Sequence, residues 1–361
     1  MPCNACLSTL VRQARTALCI LALIVGVQIS GFAQGKSYQI GCIGFYNFEN
    51  LFDTLDAPDI RDEEFTPAGS KLYGTAIYTE KLDHLATVVA GIGAELTPDG
   101  PAVLGVSEIE NRGVLEDFVK HPRLADRQYQ IVHFDSPDRR GIDVALLYQP
   151  KYFTVEHAEA LPVYLYEPDS SRIYTRDVLY VTGLFGGEPM HFFVNHWPSR
   201  SGGEKASEWK RMTAAAVCKA KIDSLTAADP KAKIILMGDL NDDPISPSVK
   251  KVLQAHGRKE SVGPGELYNP MFQLFRKGFG TLAWRDTWNL FDQVILSEGL
   301  LSSEQDGYFF HQANVYNERF LVQKTGQYKG YPFRTFVGDT YLGGYSDHFP
   351  VYVFLLRAAG K

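Results

Sequence analysis

Cysteine is scarce in this chain. Of five in 361 residues, Cys3, Cys6 and Cys19 fall within the first 34, which leaves Cys42 and Cys218 for the remainder. A disulfide framework is thereby excluded, and the two remaining cysteines allow at most one bridge. Cys42 sits in an apolar strand pattern and Cys218 in a helical one, so two buried free thiols are expected. Cys/His spacing suited to zinc is missing as well. There is no basic run: acids and bases are interspersed around a net charge of -6. A module that grips duplex nucleic acid tightly usually advertises a basic face, so its absence weakens the case for a nucleic-acid substrate without excluding one. Repeats, linkers and shifts of composition do not divide residues 34–361, which predicts one domain there. The 45% hydrophobic and 12% aromatic content is ample for its core.

Long apolar runs are limited to residues 17–29, interrupted only by Gly26 and Gln28. A membrane span needs about 20 apolar residues. Arg12 and Arg15 precede the run, and Ser30-Gly31-Phe32-Ala33-Gln34 follows it, with small residues at -3 and -1 of a cut after Ala33. Residues 1–33 therefore read as a secretory signal peptide. Leu18 before Cys19 argues against lipoprotein processing. The mature chain is expected to be exported, to a periplasm or beyond the cell.

What is abundant is apolar strands that end in acids, amides or histidines. The stretch Lys233-Ile234-Ile235-Leu236-Met237-Gly238-Asp239-Leu240-Asn241-Asp242-Asp243-Pro244 reads as a buried central strand stopped by a turn and by Pro244. Asp239 and Asn241, two apart, would project to one side of an extended backbone. An Asx-rich turn is the bland alternative. The pattern recurs. A strand over 38–48 ends in Asn47-Phe48-Glu49-Asn50, one over 101–106 runs into Ser107-Glu108, and one over 190–194 delivers Asn195-His196. Strand 290–297 carries Asp292 near its start, and Ser346-Asp347-His348 leads into an edge-tolerant strand over 351–356. Open α/β sheets place ligands at such strand ends.

Other strands are expected over 129–134, 143–148, 153–166 and 178–185. Helices are expected over 78–92, 114–119, 204–225 and, briefly, 246–255. The long helix shows Ala206, Trp209, Met212, Thr213, Ala216, Val217 and Ala220 as its apolar face. His84 and His191 read as packing residues. Arg139 and Arg140, in a turn, either reach phosphate or are solvated. Residues 56–74 read as a polar, irregular surface excursion with Pro and Gly, and residues 257–288 and 303–340 as irregular and aromatic-rich.

Taken in order, Asn47, Glu108, His196, Gly238-Asp239-Leu240-Asn241, Asp292 and Ser346-Asp347-His348 resemble the endonuclease/exonuclease/phosphatase superfamily. That family includes secreted deoxyribonucleases, abasic-site endonucleases, sphingomyelinases and inositol polyphosphate phosphatases. The resemblance covers essentially the whole mature chain. It implies a four-layered α/β sandwich of two packed mixed sheets flanked by helices, and metal-dependent hydrolysis of phosphoesters. It also implies site roles. Asp239 would orient and deprotonate the attacking water, and Asn241 would hold that water or a phosphate oxygen. His196 and His348 would flank the phosphate, with Asp292 fixing the tautomer of His348. Glu108 and Asn47 would hold a metal, with Asp347 binding a second one or steadying the site. Oxygen ligands select a hard cation, so Mg²⁺ is expected, with Mn²⁺ or Ca²⁺ as alternatives.

Export suits scavenging of extracellular nucleic acid, so an endonuclease with little sequence preference is the expected activity. A phospholipid or sugar-phosphate substrate is the alternative, favoured by the acidic balance and the aromatic loops. A catalytically silent binding protein is disfavoured, because every expected position is filled. No stable protein partner is evident, and a monomer is expected.

Overall fold

The layering follows from alternation along one strand. Ile235 and Met237 turn into a core shared by two sheets, while Ile234 and Leu236 turn the other way, toward a long helix. A strand apolar on both faces has to be covered on both. Each such side chain contributes about 1.5–3 kcal/mol on full burial.

The computed structural model describes residues 37–304 and 307–359. The signal reading of residues 1–33 lies outside the described residues. Gln39–Ala358 form one compact unit.

One sheet comprises β1 (Tyr38–Leu51), β2 (Val103–Ile109), β3 (Gln130–His133), β4 (Asp143–Tyr148), β16 (Phe309–Val315) and β19 (Val351–Ala358). Their order is β16-β19-β1-β2-β4-β3. The other sheet comprises β5 (Phe153–Leu161), β8 (Val178–Phe185), β9 (Glu188–His196), β10 (Ile234–Asp239), β11 (Ala255–His256), β12 (Leu267–Tyr268) and β15 (Asp292–Ser297). Their order is β11-β12-β15-β10-β9-β8-β5. Both sheets are mixed: β1 runs parallel to β2 and β9 to β10, while β10 pairs antiparallel with β15. Three small hairpins join β6 (Leu165–Tyr166) to β7 (Arg172–Ile173), β13 (Leu282–Trp284) to β14 (Thr287–Asn289), and β17 (Phe336–Val337) to β18 (Thr340–Tyr341).

Ile43, Phe45, Val103 and Val353 of the first sheet meet Phe192, Val194, Met237 and Val294 of the second in the central core. Helices α1 (Thr75–Gly91) and α2 (Arg112–Val119) cover the outer face of the first sheet through Leu85, Val89, Val114 and Phe118. Helix α3 (Glu204–Ala228) covers the second through Ala214, Ala215, Cys218 and Ile222. A short α4 (Met271–Arg276) follows later in the chain. The result is the expected four-layered α/β sandwich. Cys42 and Cys218 are both buried free thiols.

Several local expectations need correction. The buried face of α3 is Ser207, Arg211, Ala214, Ala215, Cys218 and Ile222, while Trp209 is 39% exposed. The helix is rotated because Arg211 is buried against Asp242, with Nε 2.8 Å from Oδ1. That ion pair takes a place the apolar pattern would assign to Met212. Residues 303–340 are not wholly irregular, since β16 forms within them and takes the sheet edge. β19 therefore lies between β16 and β1 rather than at the edge. The strand expected over 153–166 stops at Leu161, before Pro162. The region 257–288 contains α4 and part of a hairpin.

Candidate active site

Strand register assembles the centre. In the parallel pair β9–β10, Asp239 is the direct partner of His196. In the antiparallel pair β10–β15, the same Asp239 is the partner of Asp292. One strand-end carboxylate is thus flanked by a histidine on one side and a second carboxylate on the other. In the first sheet the parallel pair β1–β2 matches Asn47 with Ser107, next to Glu108. The sheets are bridged at this end, because Asn47 Nδ2 donates to Asp239 Oδ2 (3.1 Å) and Glu108 Oε1 (3.3 Å).

The strand ends are kinked where the polar groups emerge. The β1–β2 register shifts between Asn47 and Leu51, and the β2–β4 register shifts between Ser107 and Ile109. Glu49 (φ 48), Asn50 (φ 53), Glu108 (φ 58) and Asn241 (φ 49) all have left-handed backbones. Bulges and such backbones gather at sites because they re-aim side chains at an energetic cost. β1 accordingly continues past residue 48 to Leu51. Asn241 is not extended, so simple alternation does not put it beside Asp239. Its backbone N–H donates to Asp239 Oδ1 (2.9 Å) and its Nδ2 to the Trp197 carbonyl (2.9 Å).

Both histidines aim Nε2 at one atom. His196 Nε2 lies 3.7 Å from Asp239 Oδ2, and His348 Nε2 lies 3.8 Å from it. His196 Nε2 is also 3.7 Å from Glu108 Oε1. These separations are too long for direct hydrogen bonds and suit a shared oxygen between the groups. His348 is held from behind, with Asp292 Oδ2 2.7 Å from Nδ1. A carboxylate only accepts, so Nδ1 carries a proton. The Ser346 hydroxyl donates to the Asn47 carbonyl (2.8 Å) and accepts from the His348 N–H (3.1 Å), which fastens the Ser-Asp-His turn to β1.

Charge follows these partners. Burial opposes protonation of His348, but the carboxylates of Asp292 and Asp239 outweigh it and hold its pKa well above the ordinary histidine value. His196 is pushed well below that value by burial, then by Arg176, Arg140 and His348. Its Nδ1 is buried without a hydrogen-bond partner. Asp239 is raised to about 7, chiefly by burial and further by Asp292 and Glu108, with His348 pulling the other way.

Asp347 is set apart from the other acids. Its Oδ2 lies 3.6 Å from Arg334 Nη2 and its Oδ1 4.0 Å from His348 Nε2. Among the described residues, acids and histidines cluster as Glu108–His196–Asp239, Asp239–Asp292–His348 and His133–Asp135–Asp143, and Asp347 belongs to none of these trios. It lines a cavity of about 320 Å³ instead, together with Glu49, Arg61, Lys71, Arg140 and Arg334. Phe52, Phe65 and Phe336 complete much of its wall. Most of that wall comes from the irregular 56–74 and 303–340 regions.

Three positioning residues carried no sequence signal. Arg176 is buried and donates to the carbonyls of His196 (3.1 Å) and Trp197 (2.7 Å) while pairing with Asp138 (2.9 Å). Thr281 accepts from the Asp292 N–H (3.3 Å) and, through its own carbonyl, from Phe349 N–H (2.8 Å). Lys81 is buried and donates to the Thr335 hydroxyl at 2.7 Å. Its charge faces Glu49, whose pKa burial and then Asp347 raise to about 7.

The model of the Endonuclease/Exonuclease/phosphatase family matches residues 42–357. The chain belongs to that family, whose members are phosphoester hydrolases. A search of curated proteins returned no match. Among solved structures, the chain is similar to an endonuclease/exonuclease/phosphatase family protein from Bacteroides thetaiotaomicron, with 16% identity and a TM-score of 0.52. That likeness covers 91% of this chain and 100% of the other. It is also similar to D. rerio TDP2 complexed with single strand DNA product, with 15% identity, a TM-score of 0.52, and coverage of 88% and 99%. C. elegans TDP2 shows 16% identity and a TM-score of 0.51, over 92% of this chain and 83% of that one. At these identities the likeness establishes the fold.

Proposed function

We propose that this chain is a divalent-cation-dependent phosphodiesterase whose substrate is nucleic acid, cut with little sequence preference. The observation that carries the reading is the convergence of His196 Nε2, His348 Nε2 and Asn47 Nδ2 around Asp239 Oδ2. Two gaps of 3.7 and 3.8 Å between donors and a base suit an attacking water or a phosphoryl oxygen. Asp239, with a pKa near neutrality, orients that water and takes its proton. Asn241 holds the water or a phosphoryl oxygen. His348, charged and steadied by Asp292, donates to the phosphoryl group or the leaving oxygen. His196 is neutral and contributes a hydrogen bond without added charge.

The donor set fits a hard cation. Glu108 and Asp239 bring carboxylate oxygens within 4.8 Å of each other on a cleft that also holds His196. Glu108 would hold the ion, with Asn47 beside it, and Asp347 would hold a second ion or steady the site. Mg²⁺ fits first, and Mn²⁺ or Ca²⁺ are the alternatives. When bound, such an ion neutralises charge on the phosphoryl oxygens. The adjoining cavity carries four cationic side chains, Arg61, Lys71, Arg140 and Arg334, against three acids, Glu49, Glu64 and Asp347, a balance that suits an anionic group.

A sugar-phosphate or phospholipid headgroup is the second reading, favoured by that same cavity. A pocket of about 320 Å³ walled by three phenylalanines is closer to a small-molecule site than to a duplex groove. The deciding experiment offers the purified protein plasmid DNA, RNA, sphingomyelin and inositol phosphates with Mg²⁺, with and without chelator. Nucleic-acid cleavage that chelator stops is expected, slowing as salt rises. Turnover of lipid or sugar phosphate alone would replace the nuclease reading, and full activity after confirmed metal removal would end the metal assignment. Export after cleavage behind Ala33 belongs to the same proposal. Secreted material should begin at Gln34 by N-terminal sequencing, and a mature product starting at Met1 would contradict it.

A further inference from the structure

Away from the catalytic centre, a row of rings and guanidinium groups takes little part in the core. The β6–β7 hairpin is anchored by Val163, Leu165 and Ile173, which pack with the α3 core. Its tyrosines face outward: Tyr164, Tyr166 and Tyr174 are 54%, 52% and 39% exposed. The Arg172 guanidinium lies 5.0 Å from the Tyr164 ring centre and 4.9 Å from that of Tyr174. Arg139 lies 4.9 Å from the Tyr174 ring. Together they form an alternating ladder, Tyr164–Arg172–Tyr174–Arg139. Exposed cation–π contacts stabilise a fold only weakly, so stability gives little reason for the ladder.

The ladder leads to the reacting centre. Two residues beyond Tyr174, buried Arg176 holds the His196 and Trp197 carbonyls and pairs with Asp138, the neighbour of Arg139. Arg140 comes next and reaches the wall of the cation-lined cavity. The hairpin's own acids are Glu167 and Asp169, and Glu167 faces Lys210 at 3.9 Å. On the His348 side, Trp288 stacks on Phe349 at 6.0 Å, and Trp284 is 64% exposed.

We propose that the Tyr164–Arg172–Tyr174–Arg139 ladder is a platform for single-stranded nucleic acid that guides the strand into the site. Unpaired bases of any sequence stack on the tyrosine faces that the guanidinium groups leave open, or take the place of a guanidinium group that swings out to a phosphate. A duplex hides its base faces, so the platform favours single strands. The proposal deepens the nuclease reading and rests on it.

The test uses the full chain in chelator, so that nothing is cut, and reads fluorescence anisotropy of a labelled oligothymidylate against a duplex of equal length. The double variant Tyr164→Ala/Tyr174→Ala is expected to weaken single-strand binding by about tenfold or more. Tyr164→Phe/Tyr174→Phe is expected to bind like wild type, because the ring faces remain. Both should keep wild-type hydrolysis of bis(p-nitrophenyl) phosphate, since neither touches the reacting groups. Arg139→Ala, at an exposed position, serves as the second variant should the alanine pair fail to fold, and it should weaken binding and flatten the salt dependence. The platform is overturned by unchanged single-strand affinity in the alanine variants, by equal wild-type affinity for duplex, or by preferential capture of a phosphorylated glycan. Wild type that cleaves nucleic acid while the alanine variants bind normally sinks the platform alone. Wild type that cleaves none sinks the nuclease reading itself.

Discussion

His196 and His348 are the same residue type, both buried, and both hold Nε2 within 4 Å of one carboxylate oxygen. Their charge states nevertheless differ. His348 has Asp292 at 2.7 Å behind its ring, whereas His196 has an unpartnered Nδ1 and the positive charges of Arg176 and Arg140 nearby. What differs is the group behind each ring. A carboxylate behind His348 makes it a cationic donor, whereas burial without such a partner, reinforced by Arg176 and Arg140, leaves His196 neutral. A phosphoryl group between them would meet one charged and one neutral donor, and Asp239 would keep its role as base.

Removing the groups that face the reacting centre should have the largest effect. His348→Ala, His196→Ala and Asp239→Asn are each expected to lower turnover by about 10²–10⁴-fold with little loss of thermal stability. Steady-state kinetics beside melting curves checks this, and variants that unfold while keeping normal turnover when folded would make these residues architectural. Leu236→Ala, three residues before Asp239, should behave oppositely. A cavity beneath α3 should cost about 2–5 kcal/mol in denaturant unfolding, with turnover by the folded fraction nearly unchanged.

Asp292→Asn sharpens the comparison directly. It keeps the size of the group behind His348 and removes its charge, so a loss of about 10–100-fold is expected, smaller than for His348→Ala. The pH above which activity falls should move down, because His348 would then lose its proton sooner. A loss as large as that of His348→Ala, with no change of pH profile, would mean that Asp292 does more than hold the ring.

The smallest effect concerns stability and pH. Asp239 has a folded pKa raised to about 7. Its contribution to stability is therefore full below the unfolded carboxylate value of about 4 and is lost as pH rises through 7. In chelator, Asp239→Asn should melt above wild type at pH 8, and the gap should close toward pH 4. A constant gap across that range would contradict the raised pKa.

Much of this was legible in the sequence because strand ends are local features. Apolar runs that stop at Asn47, Glu108, His196 and Asp239 are visible without knowing which strands pair. Even the ambiguity of Asp-Leu-Asn-Asp-Asp-Pro resolves physically. Asp239 lies at the centre and accepts from the Asn241 backbone N–H, while Asp242 pairs with Arg211 and Asp243 accepts from the Leu290 N–H (2.8 Å). Asp239 thus ends the strand and also opens an Asx-type turn, and the left-handed Asn241 departs from the extended alternation expected of it. The groups that hold the site from behind were not legible, since Arg176 and Thr281 act through backbone carbonyls and amides brought together only by folding. Arg211 misled the reading of α3 for a related reason. A buried ion pair looks, in sequence, like a solvated face. β16 was hidden because its burial comes from pairing with β19, and its own residues are only partly apolar.

The most direct test of the account is ring-nitrogen NMR of the histidines at pH 7 in chelator, assigned with the two alanine variants. His348 should be an imidazolium protonated at both nitrogens, and His196 a neutral ring. Two neutral rings, or a charged His196 beside a neutral His348, would contradict it.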